Sequence, residues 1–302
     1  MKMIDKIPRV TVLLATFNGV KFLNQQLNSL TGQHEVQVEV YANDDGSTDE
    51  TVALLEIWKE RGLIKTISRS NQVGSSQAFL NLLKLCNEKS FVAFCDQDDV
   101  WEARKLITQI KQMTNDKPMA VTSKRLYIDD ESNVIGISPN LRFKPSFENA
   151  MVENIAPGNT ILINRKAVEL INSFKSPQIF HYDSWIYLLV SAFGDVIHIQ
   201  EPLTRYRIHS SNTVGLRKMN FKRFATSVNN FVNQSMFFHE SSLKSLNAQQ
   251  QNLLDEFVKI RTAKGKFRKT FLIFRFPIRR QRRMDQFSFK IILLYLAFIN
   301  AF

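Results

Sequence analysis

The 302-residue chain has only two cysteines, Cys86 and Cys95. Two thiols are too few for a disulfide framework, and their spacing fits no metal-ligand pattern. Both are read as small buried hydrophobes in a reducing compartment. The first residues, Met1 to Lys6, run directly into a strand pattern and lack the apolar stretch of a secretory signal. The C-terminal apolar run, Ile291–Ile299, is nine residues long, whereas a bilayer span needs about 20. There is no internal repeat and no low-complexity linker. A glycine-rich G-x-G-x-x-G is absent after the first strand pattern, where Thr16-Phe17-Asn18-Gly19 stands instead. A Walker P-loop is absent too. These two absences remove the commonest ways in which an α/β sheet holds a nucleotide. Acidic residues are missing from one region: between Phe257 and Met284 there are eleven Lys or Arg and no Asp or Glu. The net charge of +12 is therefore concentrated there, and the rest of the chain is close to neutral. This predicts a surface-docking segment, with no nucleic-acid partner expected.

What is present is a β-α-β-α rhythm. Arg9–Thr16 is a short apolar, β-branched run that suits a buried parallel strand. Val20–Leu30 has helical spacing, and Val36–Ala42, Leu63–Ser68 and Phe91–Cys95 are further strands. Pro118–Tyr127, Thr160–Ile163, Val196–Ile199 and Leu203–Ile208 are also read as strands. Arg165–Phe174 and His181–Ala192 are read as helices, and Asp129–Phe147 as a loop over the site. From about Leu216 the pattern becomes helical and long. The rhythm implies an open, mostly parallel sheet with helices on both faces, which binds ligands beyond the carboxyl ends of its strands.

Three polar clusters fall at such ends. Phe91–Cys95 delivers Asp96-Gln97-Asp98-Asp99, three carboxylates within four residues. Crowded carboxylates repel unless a cation neutralises them, and Mg²⁺ or Mn²⁺ shared with a diphosphate is the natural counter-ion. The competing reading is a turn with Asp99 capping a helix. An EF-hand is excluded, since Trp101 occupies the place of its glycine and Ile107 that of its glutamate. The second cluster, Asn43-Asp44-Asp45-Gly46-Ser47-Thr48-Asp49, follows strand two. One carboxylate there can accept the imide N–H of uracil or thymine; a plain turn with a helix cap is the alternative. The third is Thr16-Phe17-Asn18-Gly19, a small polar loop able to meet base or ribose. Further along, Gly158 in Pro157-Gly158-Asn159-Thr160 lets backbone approach a donor or acceptor sugar, or simply makes a turn.

In order and spacing these clusters resemble the inverting glycosyltransferases of family 2, which have the GT-A fold. Thr16–Gly19, Asp44–Asp49 and Asp96–Asp98 look like that family's first-strand, DDGS-type and DXD motifs. The resemblance covers roughly residues 8–215. It implies that Asp44 or Asp45 contacts the base, that Asp98 holds the metal on the donor diphosphate, and that Asp96 lies near the donor ribose or sugar, with Thr16 and Asn18 beside them. Phe180-His181-Tyr182-Asp183-Ser184-Trp185 resembles the place of the family's catalytic base. Asp183 is the candidate, and Trp185 joins Gly158 in the acceptor region. Arg205–Gly215 resembles the closing loop of bacterial rhamnosyltransferase-like members, with His209 as a further metal or pyrophosphate ligand and Arg207 neutralising phosphate. The motif QxxRW of processive members is absent, which favours one sugar per encounter.

The resemblance thus implies an α/β GT-A domain over residues 1–215 and a helical, basic C-terminal extension over 216–302. The implied activity is inverting transfer from a dTDP- or UDP-sugar, dTDP-rhamnose first, to a saccharide or lipid-linked saccharide acceptor of bacterial surface polysaccharide, with Mg²⁺ or Mn²⁺ as cofactor. Lys264 to Arg283, interleaved with Phe271, Phe274 and Phe276, suits an anionic membrane surface at the cytoplasmic face. Packing on the core or on a second copy in a homo-oligomer is the other reading. Two rivals are a sugar nucleotidyltransferase, which would carry a basic glycine-rich triphosphate loop after strand one, and a nucleic-acid binder, which would leave the carboxylate clusters unexplained.

Overall fold

The computed structural model describes residues 7–86, 91–174, 181–209, 221–242 and 246–298. Its first half follows the expected rhythm: β1 (Arg9–Thr16), α1 (Val20–Thr31), β2 (Gln37–Asp44), α2 (Thr51–Glu60), β3 (Ile64–Arg69), α3 (Ser75–Lys84) and β4 (Phe91–Asp96). The next elements are β5 (Val100–Trp101), α4 (Lys105–Ile110), β6 (Met119–Ile128), β7 (Val134–Ile137) and α5 (Phe147–Ala150). A 3-10 turn (Gly158–Thr160), β8 (Leu162–Ile163), α6 (Arg165–Ser173), α7 (Tyr182–Phe193) and β9 (Asp195–Arg207) complete the α/β part. Four helices follow: α8 (Phe221–Ser242), α9 (Ala248–Thr262), α10 (Lys266–Arg275) and α11 (Arg283–Phe298).

All nine of these strands form one sheet in the order β3-β2-β1-β4-β8-β6-β9-β5, with β7 paired to β6. β3, β2, β1 and β4 run parallel, as does the β6–β9 pair, while β8 is antiparallel to both β4 and β6. Pleating sends alternate residues to opposite faces. On one face Val10, Val12 and Leu14 of β1 meet Leu23 and Leu27 of α1 and Trp58 of α2. On the other, Leu13 and Phe94 meet Phe79 of α3 and the helices that come later in the chain. A mostly parallel sheet with helices on both faces is the architecture expected from the sequence.

Several expectations change. The two strands over 196–208 are one strand, β9, which absorbs a register shift opposite Ser123–Arg125. The loop over 129–147 contains β7, a hairpin return onto β6. The expected boundary near residue 215 lies outside the described residues. The helices beyond it pack on the α/β part, as one of the two readings of the extension had it. Trp185 of α7 packs against Phe237 and Phe238 of α8. Gln250 Nε2 donates to the Ala192 carbonyl, and Asn149 Nδ2 donates to the Arg279 carbonyl. Phe257, Ile273, Phe276 and Phe289 belong to the same core cluster as Phe94 and Trp185. The expected role of Phe276 in membrane insertion is corrected by its burial: it packs with its ring centroid 5.1 Å from that of Phe257. No helix among the described residues is long and apolar enough to cross a membrane.

Candidate active site

Parallel pairing brings the three polar clusters to one edge. Thr16 is in register with Asp44 across β1–β2, and Ala15 with Asp96 across β1–β4. The loops are then tied to one another by side chains. Thr16 Oγ1 donates to Asp44 Oδ2 at 3.0 Å. Asn18, held at φ +46°, donates its backbone N–H to Ser47 Oγ and accepts the Thr48 N–H on Oδ1 at 2.8 Å. Gln97 pairs with the backbone of Phe17 in both directions, accepting its N–H at 2.8 Å and donating to its carbonyl at 2.9 Å. Gly19 makes room for that amide, because a Cβ there would lie 2.1 Å from Gln97 Oε1.

The two carboxylates of the second cluster are largely engaged by their own chain. Asp44 is fully buried and accepts the backbone N–H groups of Gly46 and Ser47, with Arg69 4.0 Å away. Gly46 leaves this turn at φ +91°, a left-handed geometry that suits glycine. Asp45 retains slight exposure and accepts from Ser70 Oγ and from the Val73 and Gly74 N–H groups.

At the tip of β4 the three carboxylates separate. Asp96 and Asp98 are half-buried, whereas Asp99 is fully buried. Burial, with the charges of Asp98 and Asp183 adding to it, pushes Asp96 up to about 7, and Arg125 opposes the rise. Asp98 Oδ2 lies 2.8 Å from His209 Nε2. This pair offers one carboxylate oxygen and one imidazole nitrogen side by side. No group of three or more candidate ligands occurs among the described residues. A hard divalent cation held by two protein ligands takes its remaining positions from phosphate and water, as Mg²⁺ usually does. The excess of carboxylate charge that raises Asp96 is what such a cation would relieve, so these residues fit one.

Asp99 forms a pin behind this pair. It accepts Asn159 Nδ2 and the Arg207 backbone N–H. Burial, then the charges of Asp98 and Asp96, pushes its carboxyl well up. The Asn159 carbonyl accepts the buried Lys105 ammonium at 3.0 Å, and Thr204 Oγ1 accepts it at 2.9 Å. Burial pulls Lys105 down to about 7. One residue before Asn159, the Gly158 N–H donates to Asp183 Oδ2 at 3.1 Å. The first turn of α7 supplies the other anchor, the Ser184 N–H to Asp183 Oδ1 at 2.8 Å. Asp183 is half-buried at this helix start. Burial pushes its carboxyl up, against the pull of His181 and of its backbone donors. A carboxylate with a raised pKa, beside a second acidic cluster and open to solvent on one side, is suited to taking a proton.

Three expected site residues occupy other places. Arg207 is fully buried; its guanidinium donates to the carbonyls of Asp98, Asp129 and Asp130 and to Gln25, and stacks over Phe22. In this position it anchors the Asp96–Asp99 loop to the hairpin before β7 and does not face a phosphate. Trp185 is a core residue, since the helical period turns it away from Asp183 and into the aromatic cluster of α8. Gly158 makes way for Tyr182, not for a sugar: a Cβ would lie 1.8 Å from the Tyr182 hydroxyl. The rest of the expected closing loop, residues 210–215, and Phe180 lie outside the described residues. Arg125 was missed in the sequence, as were the roles of Gln97 and Lys105. Arg125 stacks 4.7 Å from the Tyr206 ring because β6 lies beside β9, and its charge acts on Asp96. No local pattern signals that.

Comparison with known proteins gives the family of the chain. The pattern of Glycosyl transferase family 2 matches residues 11–171, more than half of the chain. The chain belongs to glycosyltransferase family 2. Among relatives of this family 2 member is dTDP-rhamnosyl transferase RfbG of Shigella flexneri, 25% identical over 96% of this chain and 100% of that protein. Another is the UDP-Glc:alpha-D-GlcNAc-diphosphoundecaprenol beta-1,3-glucosyltransferase WfgD of Escherichia coli, 24% identical over 74% of this chain and 86% of that one. Among solved structures, the mannosyltransferase PcManGT from Pyrobaculum calidifontis, in complex with GDP-Man and Mn²⁺, superposes with a TM-score of 0.61. The alignment covers 98% of this chain and 88% of that one at 14% identity, a likeness of fold. The family 2 glycosyltransferase described here is thus related to bacterial rhamnosyl and glucosyl transferases.

Proposed function

We propose that this enzyme moves one sugar per encounter, with inversion, from a dTDP- or UDP-sugar to a hydroxyl of a lipid-linked saccharide in bacterial surface polysaccharide synthesis. dTDP-rhamnose is the first donor to test, supported by full-length similarity to a dTDP-rhamnosyl transferase. A diphosphoundecaprenol-linked acceptor is supported by the relative whose name carries one. The enzyme would then work in the cytoplasm against the inner leaflet. The observation that carries the reading is the convergence of Thr16, Asp44 and Asp96 on one sheet edge, with the half-buried Asp183 carboxylate held by the Gly158 and Ser184 N–H groups.

In this mechanism Asp183 accepts the proton of the acceptor hydroxyl as its oxygen attacks the anomeric carbon. The new C–O bond forms while the bond to the diphosphate oxygen breaks on the opposite face. Asp45, the more exposed of its pair, meets the imide N–H of the base, while Asp44 holds the turn that presents it. Thr16 and Asn18 fix the loop beside the ribose, and Asp96 lies near the ribose or sugar. Asp98 and His209 would hold a Mg²⁺ or Mn²⁺, which would supply positive charge against the departing nucleoside diphosphate. Arg125, whose positive charge Asp96 feels, adds a cation near the same carboxylates.

The test is a panel of dTDP-, UDP- and GDP-sugars, scored for binding and for nucleoside diphosphate release with wild type and Asp183→Asn. Wild type should turn over one dTDP- or UDP-sugar. Asp183→Asn should bind that donor with unchanged affinity and lose about 10²–10⁴-fold in transfer rate. Transfer by the variant at the wild-type rate would reduce Asp183 to a helix-start charge.

A further inference from the structure

The helical pair α10–α11 exposes an apolar stripe along each helix. On α10, Phe267, Phe271 and Phe274 recur at intervals of four and three residues and are all exposed, Phe267 at 90%. This is one face of a helix. The opposite face is seated in the core through Ile273. On α11, Met284, Phe287, Ile291, Tyr295 and Phe298 recur with the same helical period and are exposed, Met284 at 82%. Phe289, Ile292, Leu293 and Leu296 on its other face are buried. The helices are antiparallel: Lys266 at the start of α10 lies 5.4 Å from the Phe298 ring, and Lys290 of α11 donates to the Phe274 carbonyl. A soluble surface seldom gathers so many large apolar side chains unless something covers them.

The basic residues tell what covers them. Lys264, Lys266, Arg268, Arg275, Arg282 and Arg283 are exposed around the two stripes. A second copy would bring the same cations to the same face, and like charges would oppose the contact. An anionic leaflet offers both complements, negative headgroups for the cations and acyl chains for the rings.

We propose that α10 and α11 form a monotopic membrane-insertion face, which lies flat on an anionic phospholipid leaflet with its two apolar stripes below the headgroups. This deepens the reading of a lipid-linked acceptor by naming the surface that would hold the enzyme at the acceptor's plane. It differs from a purely Coulombic tail. The rings of α11, beyond the basic run, carry part of the binding, and because the other faces of both helices are core, the domain is held in a fixed orientation.

The experiment uses the full chain and vesicles of phosphatidylcholine with or without phosphatidylglycerol at about one lipid in three. Wild type should co-sediment with the anionic vesicles. A variant with Phe267→Ser, Phe271→Ser, Met284→Ser and Phe287→Ser alters only exposed positions. It should keep its thermal midpoint and its release of nucleoside diphosphate from donor, and bind vesicles at least about tenfold more weakly. In a second arm, the indole introduced by Phe287→Trp should be quenched by brominated acyl chains. The native Trp58, Trp101 and Trp185 are buried and give a quiet background. Equal partitioning of wild type and the serine variant, or an introduced indole that brominated lipid leaves unquenched, overturns the proposal. So does self-association of wild type without lipid that the serine variant loses, since the face would then belong to a second copy. No acceptor is needed in either arm, so a failed sugar-transfer reading would leave these results interpretable.

Discussion

Gly158→Ala is the substitution that most directly probes how the proposed base is held. Gly158 has no special backbone conformation that alanine would resist, so the effect is one of space. The added Cβ would lie 1.8 Å from the Tyr182 hydroxyl oxygen and 2.5 Å from Cζ, where ordinary contact begins at 3.4 Å. Either the ring or the Gly158 backbone must retreat by more than about 1 Å. The ring cannot do so cheaply. Its centroid is 4.4 Å from that of Phe79 and 5.1 Å from that of Phe94, and both phenylalanines are fully buried. Overpacking of this kind costs about 1–3 kcal/mol. If the backbone yields instead, the Gly158 N–H leaves Asp183 Oδ2, and misplacement of a reacting group by about 1 Å can cost 10²-fold in rate. Urea denaturation should therefore show a loss of about 1–3 kcal/mol, and sugar transfer should fall by more than the unfolded fraction explains. Tyr182→Phe removes the closest atom, so the double variant should recover part of both losses, a coupling of about 0.5 kcal/mol or more. A Gly158→Ala protein as stable and active as wild type would refute the steric argument. So would an equal loss when Gly158→Ala is made in the Tyr182→Phe background.

Other expected outcomes follow from the same contacts. Asp98→Asn should weaken the response of turnover to added Mg²⁺ or Mn²⁺ and reduce it by orders of magnitude; full activity of that variant in excess chelator would exclude Asp98 as a ligand. Asn159→Ala leaves the buried Asp99 carboxyl without one of its donors and should cost about 1–3 kcal/mol in thermal or urea unfolding. An unchanged midpoint would mean that the pin is not holding the loop. His198, on β9 opposite Thr122, has both ring nitrogens buried without a partner among the described residues. Burial, with Lys124 adding to it, pulls its imidazole down to about 4. Between that value and the ordinary 6.5 the unfolded chain binds the proton and the folded one does not, so stability is lost as pH falls through this window. His198→Leu should flatten that slope in urea midpoints measured at about pH 7 and about pH 4.5.

The sheet up to β4 was legible because its strands are largely buried, and each such strand reads as a nearly continuous apolar run ending in a polar cluster. The clusters themselves were legible as positions, since residues at the carboxyl ends of neighbouring parallel strands must converge. What the sequence did not reveal is which polar atoms face outward. Arg207 and Asp98 look equally available in a one-dimensional string; the fold buries the first under Phe22 and leaves the second beside His209. Trp185 follows Asp183 by two residues, and two residues along a helix is more than half a turn, so an aromatic neighbour in sequence became a core residue in space. The helices beyond residue 221 showed their basic charge plainly. Their seating on α7 depends on long-range packing that periodicity does not report.

The reciprocal bonding of Gln97 with Phe17 has a consequence for anyone exchanging parts between members of this family. The middle letter of a D-x-D pattern is written as free, yet in this chain it works as a splint, with a side-chain amide completing the backbone of another strand's exit loop. Gly19 is cut to the size of that amide. The three residues after β1 and the segment closing β4 therefore behave as two halves of one joint. A graft that imports Asp96–Asp99 alone would carry the carboxylates and leave behind the surface against which they are aligned, so the residues to be moved are 17–19 together with 96–99.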